Sequence, residues 1–458
     1  MKYTNSMHKL ILVVLAAFVS ILSFGQTGTN SPFSTYGLGE VGGLDHAAFI
    51  GIGNSTITMN DSTILNYYNP ASYSSLAKHK PLFSFGVASR HSIFSENGAE
   101  STNTLASIQH MAMAFPFAKR FGLAVGIKPY SSRGYEFSTR TEVNGDSLNY
   151  VYSGTGGLNE FFGGLSVKAL EYKGAKLSLG ANFGYIFGQV INTRKSGLID
   201  SNTEGNNYPG GINSKLIQAK AFHYTIGATY SQKLKEKHEI NVSAVFDPFQ
   251  KINTEYQNVL FYSSNVNNPN VYDTLAVFDT LAGNLSTVPT MTYGLNYVYN
   301  FTGRKKHTNQ LNSQLSFHAT YTSAQWSRYE NTFDPTFTNT FLNSTKLTFG
   351  LQYLPETNFI ANKSLTKFHH RVKYRIGVYQ QLLPYETNNE QVKDFGTTFG
   401  FGIPVIVKNS LSSINFGFSV GKRGVSDANA LNEQYYGFNV GISIAPGADK
   451  WFVKRKLN

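Results

Sequence analysis

The chain has 458 residues, 39 Lys and Arg against 27 Asp and Glu for a formal net charge of +12, and only 14% charged residues, well below the roughly 25% of an average soluble domain. It contains no Cys, which excludes a disulfide framework, a cysteine-liganded metal site and an N-terminal lipidated cysteine. No linker, heptad or repeat divides it, so one large domain is expected despite the length.

Taken from the start, Lys2, His8 and Lys9 precede an apolar run from Leu10 to Phe24, and Gly25 precedes Gln26 in a polar stretch. This reads as a secretory signal peptide over residues 1–25, because the run falls short of the roughly 20 residues that span a bilayer. Export is therefore expected, and any membrane insertion must be by strands, since no later stretch is apolar enough for a membrane helix.

Residues 26–80 have a different character. They hold Pro32-Phe33-Ser34-Thr35-Tyr36-Gly37-Leu38-Gly39, then Ile50-Gly51-Ile52-Gly53, then Asn66-Tyr67-Tyr68-Asn69-Pro70-Ala71-Ser72. The glycines argue against a stable helix and there is no clean alternation. Phe33, Tyr36, Leu38, Phe49, Ile50, Ile52, Tyr67 and Tyr68 need burial somewhere, which favours a hatch or plug inside a lumen over a loose tail.

From residue 81 to 458 the chain alternates with period two. Tyr436, Phe438, Val440, Ile442 and Ile444 interleave with Gly437, Asn439, Gly441 and Ser443, a strand with one face for lipid and one for a polar lumen. Fourteen such strands are predicted, near 83–91, 107–117, 121–129, 160–169, 175–189, 220–233, 239–247, 290–301, 313–322, 345–353, 371–380, 395–406, 413–421 and 435–444. The connections alternate too: long at 92–106, 130–159, 190–219, 248–289, 323–344, 381–394 and 422–434, with tight turns such as 118–120, 170–174 and 234–238 between them. Short turns on one side and long loops on the other describe an antiparallel outer-membrane β-barrel with both chain ends in the periplasm. An extra external hairpin is expected around 134–152, and Pro116, Gly377 and Pro404 are the places to look for a kink in the wall.

The lumen face offers one constellation. If Val372, Tyr374, Ile376 and Val378 face lipid, then Lys373 and Arg375 point inward, and the same parity brings Lys128, Lys168 and His318 to the lumen. These five form a candidate basic cluster for an anionic head group; the competing expectation is that they pair with carboxylates of residues 26–80 such as Glu40, Asp45 or Asp61. No Walker A loop, GxSxG or HExxH motif is present, so no enzyme, cofactor or metal site is expected. Nucleic-acid binding is a poor fit for an exported chain whose aromatics follow strand spacing.

The Tyr68-Asn69-Pro70-Ala71-Ser72 stretch, ahead of the first strand and behind a Gly-rich segment, resembles the NPA hatch motif of the FadL family of fourteen-stranded outer-membrane transporters, here Asn69, Pro70 and Ala71. The opening from Ser31 to Gly39 and the ending from Asp449 to Lys456 look like a Bacteroidetes branch of such barrels. The resemblance implies passive uptake of hydrophobic or amphipathic small molecules such as fatty acids, by hatch gating and lateral release into outer-membrane lipid. It also implies an alternative, since PorV-like relatives share the barrel and serve protein secretion: a non-transporting subunit of an outer-membrane complex that docks a protein partner through loops such as 248–289.

Overall fold

The computed structural model describes residues 29–446 except 43–45, 78–79, 118, 144–145, 200–209, 264–271, 302–311, 334–340, 360–365 and 408–409. The expected signal peptide and the basic tail lie outside the described residues, as does Asp45. In chain order, β1 (Glu40–Val41) and helix α1 (Ala47–Ile50) belong to the N-terminal segment. They are followed by β2 (Leu82–Glu96), β3 (Ala99–Phe115), β4 (Phe121–Val143), β5 (Asp146–Tyr172), β6 (Ala175–Ile199), β7 (Gly210–Leu234) and β8 (His238–Asp247). Three strands outside the wall come next, β9 (Lys251–Ser263), β10 (Tyr272–Val277) and β11 (Leu281–Ser286). The wall resumes with β12 (Thr290–Asn300), β13 (Gln314–Ala324), β14 (Ser344–Leu354), β15 (Lys373–Thr387), β16 (Glu390–Val407), β17 (Ser410–Gly424) and β18 (Asn432–Ile444).

Each wall strand pairs antiparallel with its neighbours, β8 with β12 and β18 with β2 from Asn432↔Ser95 to Ile444↔Phe83, which closes a fourteen-stranded barrel. Closure removes the sheet edges that lipid could not satisfy. The alternation sets which way each side chain points: Tyr374, Ile376 and Val378 are 42%, 48% and 38% exposed on the outside, while Arg375 between them is 4% exposed. Val372, expected to face lipid, is instead buried, because it precedes β15 and does not share its pleat. No helix among the described residues is long and apolar enough to cross a membrane.

The long connections are mostly strand. Residues 92–106 and 381–394 continue the wall strands upward and close in two-residue turns, and 130–143 and 146–159 are the upward continuations of β4 and β5. Asn97 and Gly98 have φ of 50° and 78°, and Asn388 and Asn389 of 53° and 60°, the left-handed pair that a two-residue hairpin turn demands. The expected hairpin at 134–152 is this continuation of β4 and β5, paired as far as Val143↔Asp146. Above the membrane both sheet faces meet water or other protein, so the apolar alternation fades there while the ladder does not. The 248–289 connection carries β9, which pairs with the upper part of β7 and takes β10 and β11 on its far edge.

The dry core lies inside the barrel. Phe49, Ile52, Met59, Ile64, Leu65, Tyr67, Tyr73 and Leu76 of the N-terminal segment pack with Leu82, Ala112, Ala114, Ala124 and Phe162 of the wall. Phe33 and Leu38 are buried in two further clusters nearer the outer mouth.

Candidate functional site

Asn69 caps a six-residue 3-10 turn, Pro70–Ser75: its Oδ1 accepts from the Ala71 amide at 3.1 Å, and Pro70 occupies the first position, where no amide is needed. The Asn69 Nδ2 donates to Ile57 O at 3.1 Å and to Thr229 Oγ1 on β7 at 2.9 Å. Ser166 of β5 donates to Ala71 O at 2.9 Å, and Tyr73 donates to Asn182 of β6 at 2.8 Å. Asn69, Pro70 and Ala71 thus come together as one turn docked on β4 to β7. Asn69→Ala is expected to cost about 0.5–2 kcal/mol, read as earlier thermal release of residues 29–77 to protease; an unchanged release temperature would contradict the cap.

The wall's small residues act as sockets. A Cβ on Gly180 would lie 2.5 Å from Pro70 C, and one on Gly122 2.2 Å from Tyr73 O. Across the lumen, Gly350 and Gly377 are register partners, and a Cβ on Gly377 would sit 2.1 Å from Gly53 N. Gly377 is therefore a seat for the backbone of residues 52–53 and not a kink; its ladder to β14 and β16 is continuous. The ladder is likewise continuous at Pro404, paired with Ser413, and Pro116 lies after the end of β3.

The five predicted cationic residues do not form one cluster. Lys373 pairs with Asp61 of the N-terminal segment, whereas Lys128 pairs with Glu160 of the wall at 2.9 Å. Arg375 donates to Gln352 at 2.8 Å and Asn415 at 2.9 Å. His318 Nδ1 lies 2.9 Å from Thr58 Oγ1, and Lys168 lies 3.7 Å from Glu171. Burial would raise the Asp61 carboxyl, but Lys373 and Thr63 outweigh it and hold it below the usual range.

Two charge networks were legible in the sequence only through one member each, Glu40 and Lys128. In the first, Arg423 pairs with Glu40 of β1, with Asp394 at 3.1 Å and with Glu433 at 3.6 Å, while Arg90 reaches Glu433 at 2.9 Å and lies 3.8 Å over the Tyr435 ring. In the second, His223 bridges Glu160 at 2.7 Å and Asp247 at 3.1 Å beside Lys128. The available signal was a charged residue at an inward position of a strand otherwise lined by Gly, Ser and Asn. For Glu40, which does not lie on a wall strand, burial is outweighed by Arg423, Arg90 and Thr29, and its carboxyl is held at about 2. A depressed carboxyl stabilises fully above its ordinary value near 4.3 and loses that as the pH falls toward its folded value. Residues 29–42 are accordingly expected to stay docked at about pH 5; their proteolysis at that pH would contradict it.

Between residues 29–42 and residues 50–68 of the N-terminal segment lies a cavity of about 480 Å³, bounded by Tyr36, Glu40, Arg423 and Trp326 and, at one side, by Leu105 of β3 and Lys128, Pro129 and Tyr130 of β4. The wall is interrupted at that side. Among the described residues β3 and β4 pair from Met111↔Ile127 to Phe115↔Leu123 and no further, and the register of β4 against β5 shifts between Pro129 and Ser131. The freed edge of β4 is taken by the N-terminal segment. Glu40 and Val41 pair with Ser132 and Ser131, Gly42 N donates to Tyr130 O at 2.9 Å and Ser31 N to Gly134 O at 2.8 Å, and Arg133 Nε donates to Ser34 O at 3.1 Å.

A closed fourteen-stranded barrel of the outer-membrane type, with its own N-terminal segment folded into the lumen, is the class these features define. The chain matches the BamG family over residues 7–458 and belongs to it. Among solved structures it is similar to a Pseudomonas aeruginosa FadL homologue, at 13% identity and TM-score 0.51 over 88% of this chain and 98% of that one. It is similar also to the toluene transporter TodX of P. putida, at 16% identity and TM-score 0.52 over 90% of this chain and 98% of that one. These likenesses establish a FadL-type fold. No curated protein sequence matches the chain.

Proposed function

We propose that the barrel admits hydrophobic or amphipathic small molecules of fatty-acid-like chemistry to the cavity from outside and releases them sideways into the membrane between β3 and β4. The observation that carries this reading is the break in the β3–β4 ladder beside the cavity. Residues 31–42, seated on the freed edge of β4, would be the hatch that opens and closes this path. With no native Cys in the chain, Val41→Cys with Ser131→Cys tests it cleanly, since antiparallel partners stand at a Cα separation compatible with a disulfide. Uptake of a fluorescent long-chain fatty acid into vesicles should fall to the protein-free rate when the pair is oxidised and return on reduction. Equal uptake in both states would sink the reading.

A second reading is a barrel subunit of an outer-membrane assembly that docks protein partners. It is favoured by the length of β4 to β7, 23, 27, 25 and 25 residues, against the roughly 9–11 that cross a bilayer. More than half of each strand therefore rises above the membrane, and β9 to β11 widen the projection. Purification from outer membranes should return a stoichiometric protein; its absence would count against docking.

A further inference from the structure

The far edge of the projecting sheet is formed by residues 273–282. β9 is held on one side by β7 and on the other by β10 and β11. Near the membrane the outer edge of β11 is covered, since Leu285 bridges Asn331 and the Thr332 amide donates to Asn284 O at 3.0 Å. Above that point no described strand pairs with the edge. The Phe278 amide donates inward to Asn258 O at 3.0 Å, so by antiparallel alternation the Val277 amide points outward.

The side chains here are apolar and bare: Leu275 is 67% exposed, Val277 59%, Leu281 52% and Phe278 48%. β8, ten residues long and so the length of one bilayer crossing, ends at Asp247 just before β9. At about 3.3 Å per residue, Val277, level with Val259, stands about 26 Å along β9 from Lys251, beyond the reach of bilayer chains. Charge argues against a second copy as the occupant. Residues 251–286 carry Lys251 against Glu255, Asp273 and Asp279, a net −2 in a chain of +12, and antiparallel self-pairing centred on Ala276 would set Asp273 of each copy against Asp279 of the other.

We propose that this edge receives an extended, basic strand from a separate extracellular protein, which continues the sheet by main-chain hydrogen bonds at Val277 and rests its apolar side chains on Val277, beside Leu275, the extra residue of a bulge between Thr274 and Ala276. The inference rests on the docking reading above and can fail separately from it.

The first test uses the full chain in detergent and a labelled peptide alternating Val and Lys, with a Val-Glu peptide and empty micelles as controls. The Val-Lys peptide should bind and the Val-Glu peptide should not. Val277→Pro, which removes an outward amide and leaves the ladder to β9 intact, should weaken binding about fivefold or more, whereas Val277→Thr should change it far less. Binding that is indifferent to Val277→Pro would overturn the proposal. A photo-crosslinker at Leu275 in native outer membranes supplies the second test, with an adduct on a Lys- or Arg-bearing extended segment of another protein expected. Adducts on residues 334–340 of the same chain, on a second copy or on lipopolysaccharide would overturn it. A stoichiometric partner that crosslinks elsewhere would overturn the edge and leave the docking reading standing.

Discussion

Gly377→Val is expected to unseat the luminal segment from the barrel wall. Valine suits a strand, and the outward face of β15 is untouched, so the ladder to β14 and β16 should persist. The inward Cβ, however, would lie 2.1 Å from Gly53 N, 2.5 Å from Ile52 C and 2.6 Å from Gly53 Cα. These are backbone atoms of a turn held by its own hydrogen bonds, Gly53 N to Ile50 O at 3.1 Å and to Thr398 Oγ1 at 2.9 Å. They cannot rotate away as a side chain would. The cost should be at least the roughly 1–3 kcal/mol of an overpacked core, and the segment must lift. Planar-bilayer conductance should rise above that of the unaltered protein, and residues 46–59 should become cleavable by protease. Gly437→Ala is the control, because its added carbon meets the Ser419 hydroxyl at 2.2 Å with no segment backbone near it, and a hydroxyl can turn. A Gly377→Val barrel as closed and protected as the Gly437→Ala barrel would show that the sockets do not hold the segment.

The second large effect is expected at Arg423. Its guanidinium is the shared partner of Glu40, Asp394 and Glu433, and its side chain is 9% exposed. Arg423→Met leaves Glu40 and Asp394 short of their main counter-charge, while Glu433 keeps Arg90. Removing one partner from a buried ion network costs about 3–5 kcal/mol, because the remaining charges stay desolvated. Thermal unfolding in detergent should shift accordingly, and residues 29–42 should be released from β4 first, since Glu40 ties β1 to Arg423. Adding Glu40→Gln should recover part of the loss by removing one of the stranded charges. A loss of about 1 kcal/mol or less, the range of an exposed ion pair, would mean that water already reaches the network.

The same residues show how far the sequence could be read. The Tyr374, Ile376, Val378 alternation placed Arg375 and Lys373 inward because a pleat allows no other choice. The strand number followed from repeating that reading along the chain. It failed where the pleat has no lipid on one side: β4 and β5 run on past residues 129 and 160 although Ser131, Ser132, Ser153 and Gly154 carry no apolar alternation. The Asn97-Gly98 dipeptide was a turn signal at hand, and reading it would have shortened the 92–106 connection to two residues. Gly377 was legible as unusual, but a glycine whose missing side chain is filled by a distant backbone looks in sequence like one that permits a kink.

Local pattern alone thus determined the membrane barrel, its fourteen strands, the side on which each mid-strand residue points and the apolar character of the N-terminal segment, because these follow from a period of two and from the need to bury apolar groups. Only the tertiary structure decided that Lys128 answers Glu160 and Lys373 answers Asp61, that Arg423 gathers three carboxylates, and that β3 and β4 part beside the cavity with residues 31–42 along the opened edge. Those depend on which strands and which part of the segment meet across the lumen, at separations of up to several hundred residues, and a short-range periodicity carries no information about that.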